Sequence, residues 1–360
     1  MPFQDEATTA APPERARGRG FATLMTLAAI VVVAAGVREA ASIITPILAA
    51  AFISMIAILP LALLQGKLGV PRWIALLIVL ALTLGGALGI GYYLGQQVSA
   101  FKPLLPEYER RLDGLLLQGL EALRDRGVEI DVERVMHEAH AWQLSDFADV
   151  IVLSVAKVLQ NLTFVLLVSA FIIAEASSFP AKMRVAFPRA MSGGGLGGVA
   201  DKIRSFLVVI TQLNVVLAAI NWIACLVLGV PFAFLLSFLV FLLNYIPTIG
   251  AIAASVGVVA ITLVAKGWGA AIAMALVQGI AGVLIGSVLQ PRMLGSRLGL
   301  SPLVVLLSLV VWGYLLGIAG MFFAVPLTII VKIVLDSTDD LRSLSVLLGD
   351  ASGARQAEKR

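Results

Sequence analysis

Apolar residues fill most of this chain in long unbroken runs, not in the alternations or narrow stripes of a water-soluble fold. Runs of about 20 residues are what an α-helix needs to cross ~30 Å of hydrocarbon. Residues 21–37, 43–64, 73–98, 150–174, 206–229 and 269–289 read as six spans. Two further apolar stretches, 231–265 and 302–335, are interrupted near their middles. In the first, Asn244, Tyr245, Pro247, Thr248 and Gly250 fall within seven residues. Proline removes a helical hydrogen bond and clashes with the preceding turn, and Gly250 permits a reversal. In the second, Gly317-Ile318-Ala319-Gly320 makes the interruption. Aligning Pro231 with Pro302 sets Leu235-Leu236-Ser237 on Leu306-Leu307-Ser308 and brings Gly250 to Gly320 with a one-residue gap. The pattern predicts an all-α polytopic membrane fold of about six full spans and two broken helical hairpins. If each hairpin returns to its starting side, the two units form an inverted repeat whose breaks meet near the midplane.

Between the spans the pattern changes. Leucines three and four apart among charges at 99–148 predict an amphipathic helical extramembrane domain, as two helices joined near Gly127. His137 and His140 flank Glu138 there, but the spacing offers no third ligand and reads as a solvated face, so no metal site is expected. The chain thus divides into a disordered cytoplasmic tail (1–20), three spans (21–98), the insertion (99–148), a fourth span (149–174) and a cytoplasmic linker (175–205). A span plus broken hairpin (206–265), a second such unit (266–335) and a cytoplasmic tail (336–360) complete it. The glycine-rich SGGGLGG at 192–198 lacks the strand, Lys-Ser/Thr and helix of a phosphate loop. Gly85-x-x-x-Gly89 and Gly91-x-x-x-Gly95 in the third span read as helix-packing seams.

Composition then fixes the class. Of 360 residues, 60% are hydrophobic and 13% charged. The mean hydropathy is +0.99, far outside soluble composition. A net charge of +4, spread over loops, gives no nucleic-acid patch. The single cysteine, Cys225, lies in an apolar run and reads as a core residue. Arg15, Arg17 and Arg19 place the N-terminus in the cytoplasm, and counting spans places the C-terminus there too. The same count puts 99–149 outside, 176–205 inside, Lys266 outside, and Arg292 and Arg297 inside. No nucleotide-binding motif is present, and neither an enzyme nor a cofactor is expected.

LNYIPTIGAIAA at 243–254, followed by VLQPRMLGSRLGLSPLVVLLSLVVWGYLLGIAGMFFAVPLTIIVKIVL at 288–335, resembles the autoinducer-2 exporter (AI-2E) family, and is most similar to its autoinducer-2 exporting branch. GVEID in the insertion and the prolines after the third span extend the likeness over residues 21–350. The resemblance implies a bacterial inner-membrane transporter that works as a homo-oligomer, a pentamer. It implies either export of autoinducer-2 or sodium or lithium/proton antiport.

The residues weigh those chemistries independently. Not one Asp or Glu lies between Phe206 and Val331, or from Ala40 through Pro106. Cation coupling at membrane depth normally rests on such groups. Ile285 stands where the resemblance implies an acidic residue. The polar groups at depth are neutral, among them Gln212, Asn214, Asn221, Ser287 and Gln290, and suit a small polyol or hydroxyketone such as autoinducer-2. Asn244, Tyr245, Thr248, Gln278 and Ser308 are the expected solute contacts; Pro247, Gly250, Gly317 and Gly320 make the breaks. The competing role for Asn244 and Thr248 is to satisfy backbone groups freed by Pro247. Gln290, Pro291, Arg292 and Gly295 form a cytoplasmic motif, with Arg292 a topological anchor. Glu175, at a span end, is a candidate proton site. Alternating access is the expected mechanism; antiport and a non-transporting scaffold are the alternatives.

Overall fold

A computed structural model describes residues 14–127, 131, 134, 144–175, 181–182, 185, 196–294, 300–336 and 348. Among these, every regular element is helical. They are α1 (Glu14–Glu39), α2 (Ala41–Gly66), α3 (Arg72–Phe101), α4 (Leu105–Arg124), α5 (Leu144–Glu175) and α6 (Leu196–Leu228). Then follow α7 (Ala233–Leu243), α8 (Ile249–Lys266), α9 (Trp268–Val283), α10 (Gln290–Leu294) and α11 (Pro302–Asp336). Five helical stretches are long and apolar enough to cross a membrane, or six if the bent pair α1–α2 counts as one. Large side chains such as Leu82, Val227, Leu276 and Val310 face outward, while Ser54, Asn221, Thr262 and Gln278 are buried. That inside-out distribution is the signature of a bundle whose solvent is lipid, and the fold is a polytopic membrane protein.

The hairpins are built on α6. Helix α6 ends where Gly229 takes a left-handed conformation and the Val230 N–H bonds back to the Cys225 carbonyl (2.8 Å), with Pro231 barring continuation. Helix α7 then runs back along α6. After the break, α8 returns until the Lys266 ammonium lies 3.1 Å from where a Cβ on Gly229 would stand. Both arms of the first hairpin therefore open at the C-terminal end of α6. The second hairpin is α11 itself, whose backbone leaves the helical conformation at Gly317 (φ 67°, ψ −151°). Ser301 caps its start through the Val304 N–H (3.3 Å), with Pro302 at the first helical position. Its open end, Leu300 and Val304 on one arm and Val325 and Ile329 on the other, packs on Ile203, Phe206 and Leu207 in the N-terminal half of α6. The two hairpins thus open at opposite ends of α6.

Both reversals are closed by a glycine pressed onto a carbonyl. A Cβ on Gly250 would stand 1.8 Å from the Leu243 oxygen, and one on Gly320 would stand 1.9 Å from the Trp312 oxygen. These are the two glycines that the internal repeat aligns. The hairpins do not meet tip to tip, however. Ile246, in the first break, packs with Leu309 and Ala324 and against Trp312 and Met321. Leu309 and Ala324 lie roughly 10 Å along the arms from the turn at Gly317, so the tip of one hairpin sits against the waist of the other. The arms of the first hairpin are also unequal, α7 of 11 residues and α8 of 18, about 16 and 27 Å long.

Other boundaries move outward from the apolar runs. Helix α1 begins at Glu14 inside the stretch read as a tail, α5 begins at Leu144 inside the insertion, and α6 begins at Leu196 inside the linker. Once nucleated, backbone hydrogen bonding carries a helix on past the apolar run, here even through Gly197 and Gly198. Helix α3 passes through the short turn Lys102–Leu104 straight into α4, so the insertion is not a separate unit at its start. The apolar side of α4 packs on α8 through Leu105 and Tyr108, and Gly119 sits under the Trp268 ring. A second helix of the insertion, His137 and His140 lie outside the described residues, as does nearly all of the C-terminal tail. Among the described residues nothing fills the Gly85–Gly89 seam: space is open at Gly85, Gly86 and Gly89, because α3 packs through Ala75, Val79, Leu94 and Val98 instead. Helices α1 and α2 meet at a 74° bend. There Arg38 donates to the Tyr314 hydroxyl (2.9 Å) with its guanidinium 4.7 Å from the ring centroid, fixing the end of α1 to the second hairpin.

Gly250→Ala and Gly320→Ala are each expected to destabilise by about 2–4 kcal/mol, because the obstructing atom is backbone. Gly269→Ala, where space is open, should leave thermal unfolding in detergent unchanged, and equal melting of all three variants would contradict the glycine closures.

Candidate functional site

The first break satisfies most of its own backbone. The Asn244 N–H and its side-chain Nδ2 both donate to the Val240 carbonyl (3.1 and 2.7 Å), the Ile246 N–H to Leu243 (2.9 Å), and the Gly250 N–H to Ile246 (3.1 Å). Asn244 thereby serves as a helix terminator. Thr248 takes a left-handed φ of 64° and is exposed, so the torsional strain of the turn falls on a β-branched residue. Tyr245 is buried and turned away from the break. Its hydroxyl donates to Thr211 Oγ1 on α6 (2.8 Å), and its ring lies 4.4 Å from that of Phe322 and 5.5 Å from those of Phe52 and Phe241. This aromatic knot joins α2, α7 and α11. In the second hairpin, Trp312 Nε1 donates to Thr328 Oγ1 (3.0 Å) across the two arms, and Ser308 donates to its own helix at Val305 (2.7 Å).

A second polar group lies where α6, α7 and α9 touch. Asn221 is its hub. Its Nδ2 donates to Ser237 Oγ (3.0 Å), its Oδ1 accepts from Gln278 Nε2 (2.8 Å), and Ser237 donates on to the Ala233 carbonyl (2.7 Å). All three side chains are buried. Two turns along the same face of α6 stands Asn214, 4% exposed, and its Nδ2 has no hydrogen-bond partner. Every group in this seam is neutral, so it can exchange hydrogen bonds with an uncharged solute without moving charge through hydrocarbon.

A family profile described as "AI-2E family transporter" matches residues 23–340. The chain belongs to the AI-2E transporter family. It is 32% identical over 333 residues to the AI-2 transport protein TqsA of Escherichia coli (strain K12), covering 92% of this chain and 96% of the relative. It is 30% identical over 331 residues to the putative transport protein YhhT of the same organism, with 92% and 95% covered. A putative transport protein of Haemophilus influenzae is 32% identical over 349 residues, with 91% and 96% covered. The AI-2E family makes the chain a multi-pass membrane transporter, not an enzyme.

The AI-2E chain does not gather the expected contact residues into one place. Gln278 joins the seam, Tyr245 the aromatic knot, and Asn244 and Ser308 bond to their own helices, while Thr248 faces outward. Asn221, Ser237 and Thr211 are the partners missing from the expected set. Only Asn221 carries a signal, lying seven residues from Asn214 on one face of α6; Ser237 and Thr211 carry none. At the α10 end, Gln290, Pro291 and Arg292 continue helically, Arg292 is exposed, and Gly295 lies outside the described residues. Glu175 pairs with Lys182 at an exposed position, and Arg72 donates to the adjoining Ala174 carbonyl (3.0 Å). Among the described residues no three His, Cys, Asp or Glu side chains are grouped to hold a metal. On the insertion, burial pushes the Tyr108 phenol above its ordinary pKa, opposed by the charge of Arg111.

Asn221→Leu leaves Gln278 and Ser237 buried with lost partners and is expected to cost about 1–3 kcal/mol. The triple change with Gln278→Leu and Ser237→Ala should recover most of that loss in thermal unfolding, and a triple variant no better than the single one would refute the hub.

Proposed function

We propose that this protein exports a small neutral hydroxylated solute, autoinducer-2, by alternating access across a bacterial inner membrane. The observation that supports this most is the chemistry of the seam: buried amides and hydroxyls, with no Asp or Glu from Phe206 to Val331. Such groups trade water for hydroxyl partners and give a cation or proton nothing to neutralise. The name of TqsA supplies the cargo, and the 32% identity over nearly the whole of both chains supports carrying it over.

In this reading the arginines in the first turns of α1 hold the N-terminus in the cytoplasm. The N-terminal end of α6, Arg292 and the C-terminus then face the cytoplasm, while Lys266 and α4 face outward. The first hairpin enters from outside and the second from inside, the arrangement of broken-helix transporters. Transport moves one hairpin unit against α1–α3, sliding the tip at Ile246 along the waist at Leu309 and Ala324, and α4 braces the outer face of α8. The open glycines of α3 support close approach of another copy, and the protein works as a homo-oligomer, a pentamer. Glu175, ion-paired and exposed, adds no coupling site.

Reconstituted into proteoliposomes, the protein should pass autoinducer-2, and a sodium or lithium pulse should leave a preset pH gradient standing; collapse of that gradient would establish antiport instead. Ile246→Cys with Leu309→Cys, oxidised to a disulfide, should lower autoinducer-2 efflux at least about tenfold, a barrier increase of roughly 1.4 kcal/mol or more, and reductant should restore it. Full efflux from the locked protein would exclude the sliding hairpin.

A further inference from the structure

We propose that Asn214 is the solute-contacting group of this transporter, and that a hydroxyl or carbonyl oxygen of a small neutral molecule accepts from its Nδ2. The inference rests on the export reading above and names its site. Three observations meet at this residue.

The first is the amide itself. Asn214 is 4% exposed and its Nδ2 has no partner, whereas Asn221, Ser237 and Gln278 in the same seam are all bonded. An unmet buried donor is a standing cost, and one left unmet beside a satisfied network marks a position completed by something else. The second is the backbone opposite. The Gln278–Asn221 bond fixes the antiparallel register of α9 against α6, and two turns from that bond reach Asn214 on α6 and Ile285 just beyond α9. Residues Leu284–Leu289 there form a π-helical turn, and Ile285 is buried in the same core cluster as Leu213 and Leu217. A π turn widens the helix and slips its ladder by one residue, a distortion that recurs at functional sites. The third is the break in the first hairpin: Thr211, one turn from Asn214, holds the Tyr245 hydroxyl. The orphan amide therefore lies level with two elements whose helical backbone already gives way.

The chemistry selects the occupant. An amide N–H needs an acceptor and repels a cation. An anion would need a countercharge, and of the described cationic side chains between Phe206 and Val331, Lys266 ends α8 beside Gly229 and Arg292 is exposed on α10. A neutral oxygen acceptor remains, as carried by polyols and hydroxyketones.

The test uses the full chain in detergent and in proteoliposomes, with Asn214→Leu and Asn214→Ser, and with autoinducer-2, dihydroxyacetone and sodium chloride as probes. Asn214→Leu removes the orphan and should melt no lower than wild type. It should abolish the thermal shift given by dihydroxyacetone and autoinducer-2 and raise KM for efflux roughly tenfold. Asn214→Ser, which keeps a donor, should recover part of both. A thermal shift lost in Asn214→Leu while wild-type vesicles pass no autoinducer-2 would support the site and refute that cargo. Unchanged efflux and unchanged shifts in Asn214→Leu would overturn the proposal, meaning the amide holds only a buried water. A sodium-induced shift that disappears in Asn214→Leu would overturn it in favour of a cation site.

Discussion

A chain that reverses inside an apolar bundle must satisfy its own amides and carbonyls, and much of this protein follows from how that is done twice. Each unpaired group there costs several kcal/mol. Here the reversals are made tight enough that the chain bonds to itself, and tightness comes from a glycine seated on the carbonyl of the preceding arm. Gly250 on Leu243 and Gly320 on Trp312 are the same device at equivalent points of a duplicated sequence. Because each hairpin opens toward the end it started from, and the two open at opposite ends of α6, the duplication is inverted. The tip of one hairpin then lies on the waist of the other, joined by the apolar contact at Ile246.

The polar contacts of the seam are neutral hydrogen bonds. Hydrogen bonds between side chains in membrane helices are worth only about 0.6–2 kcal/mol each, so the bonds from Asn221 to Ser237 and Gln278 hold a register without freezing it. Charge would behave otherwise, since an ion pair at this depth resists separation far more strongly. The seam holds only weak, exchangeable partners. The anchoring interactions are kept elsewhere: the Tyr245 knot with Phe52 and Phe322, the Arg38–Tyr314 contact, and the Ser54 and Ser169 hydroxyls that each donate to the Ala50 carbonyl (2.6 and 3.1 Å) where α2 meets α5.

Much of the fold is legible in the sequence because its signals are local. Pro247 and Gly250 break a helix by covalent geometry, apolar length sets the spans, and the Pro231–Pro302 alignment exposes the repeat. What escapes is tertiary. Nothing in the string says that Tyr245 turns back to Thr211 and away from a solute, or that Asn244 bonds Val240, because a polar residue beside a break has two outlets and only packing selects one. The seam is half visible: Asn214 and Asn221 share a face by spacing alone, but Ser237 and Gln278 reach Asn221 only through the pairing of three helices. The helix starts at Glu14, Leu144 and Leu196 lie beyond the apolar runs for a simpler reason, that hydropathy reports the lipid boundary and hydrogen bonding does not stop there.

The depth of the two reversals tests the central claim most directly. Cys225 is the single native cysteine and is buried, so fluorophores can be placed at Thr248→Cys and Ile318→Cys, both exposed on the bundle, and at Lys266→Cys for comparison. Quenching by lipids labelled deep in the acyl chain should exceed quenching by headgroup labels at Thr248 and Ile318, with the reverse at Lys266. Headgroup-level quenching at Thr248 and Ile318 would mean that the arms cross the membrane completely, and the assignment of two re-entrant hairpins would be wrong.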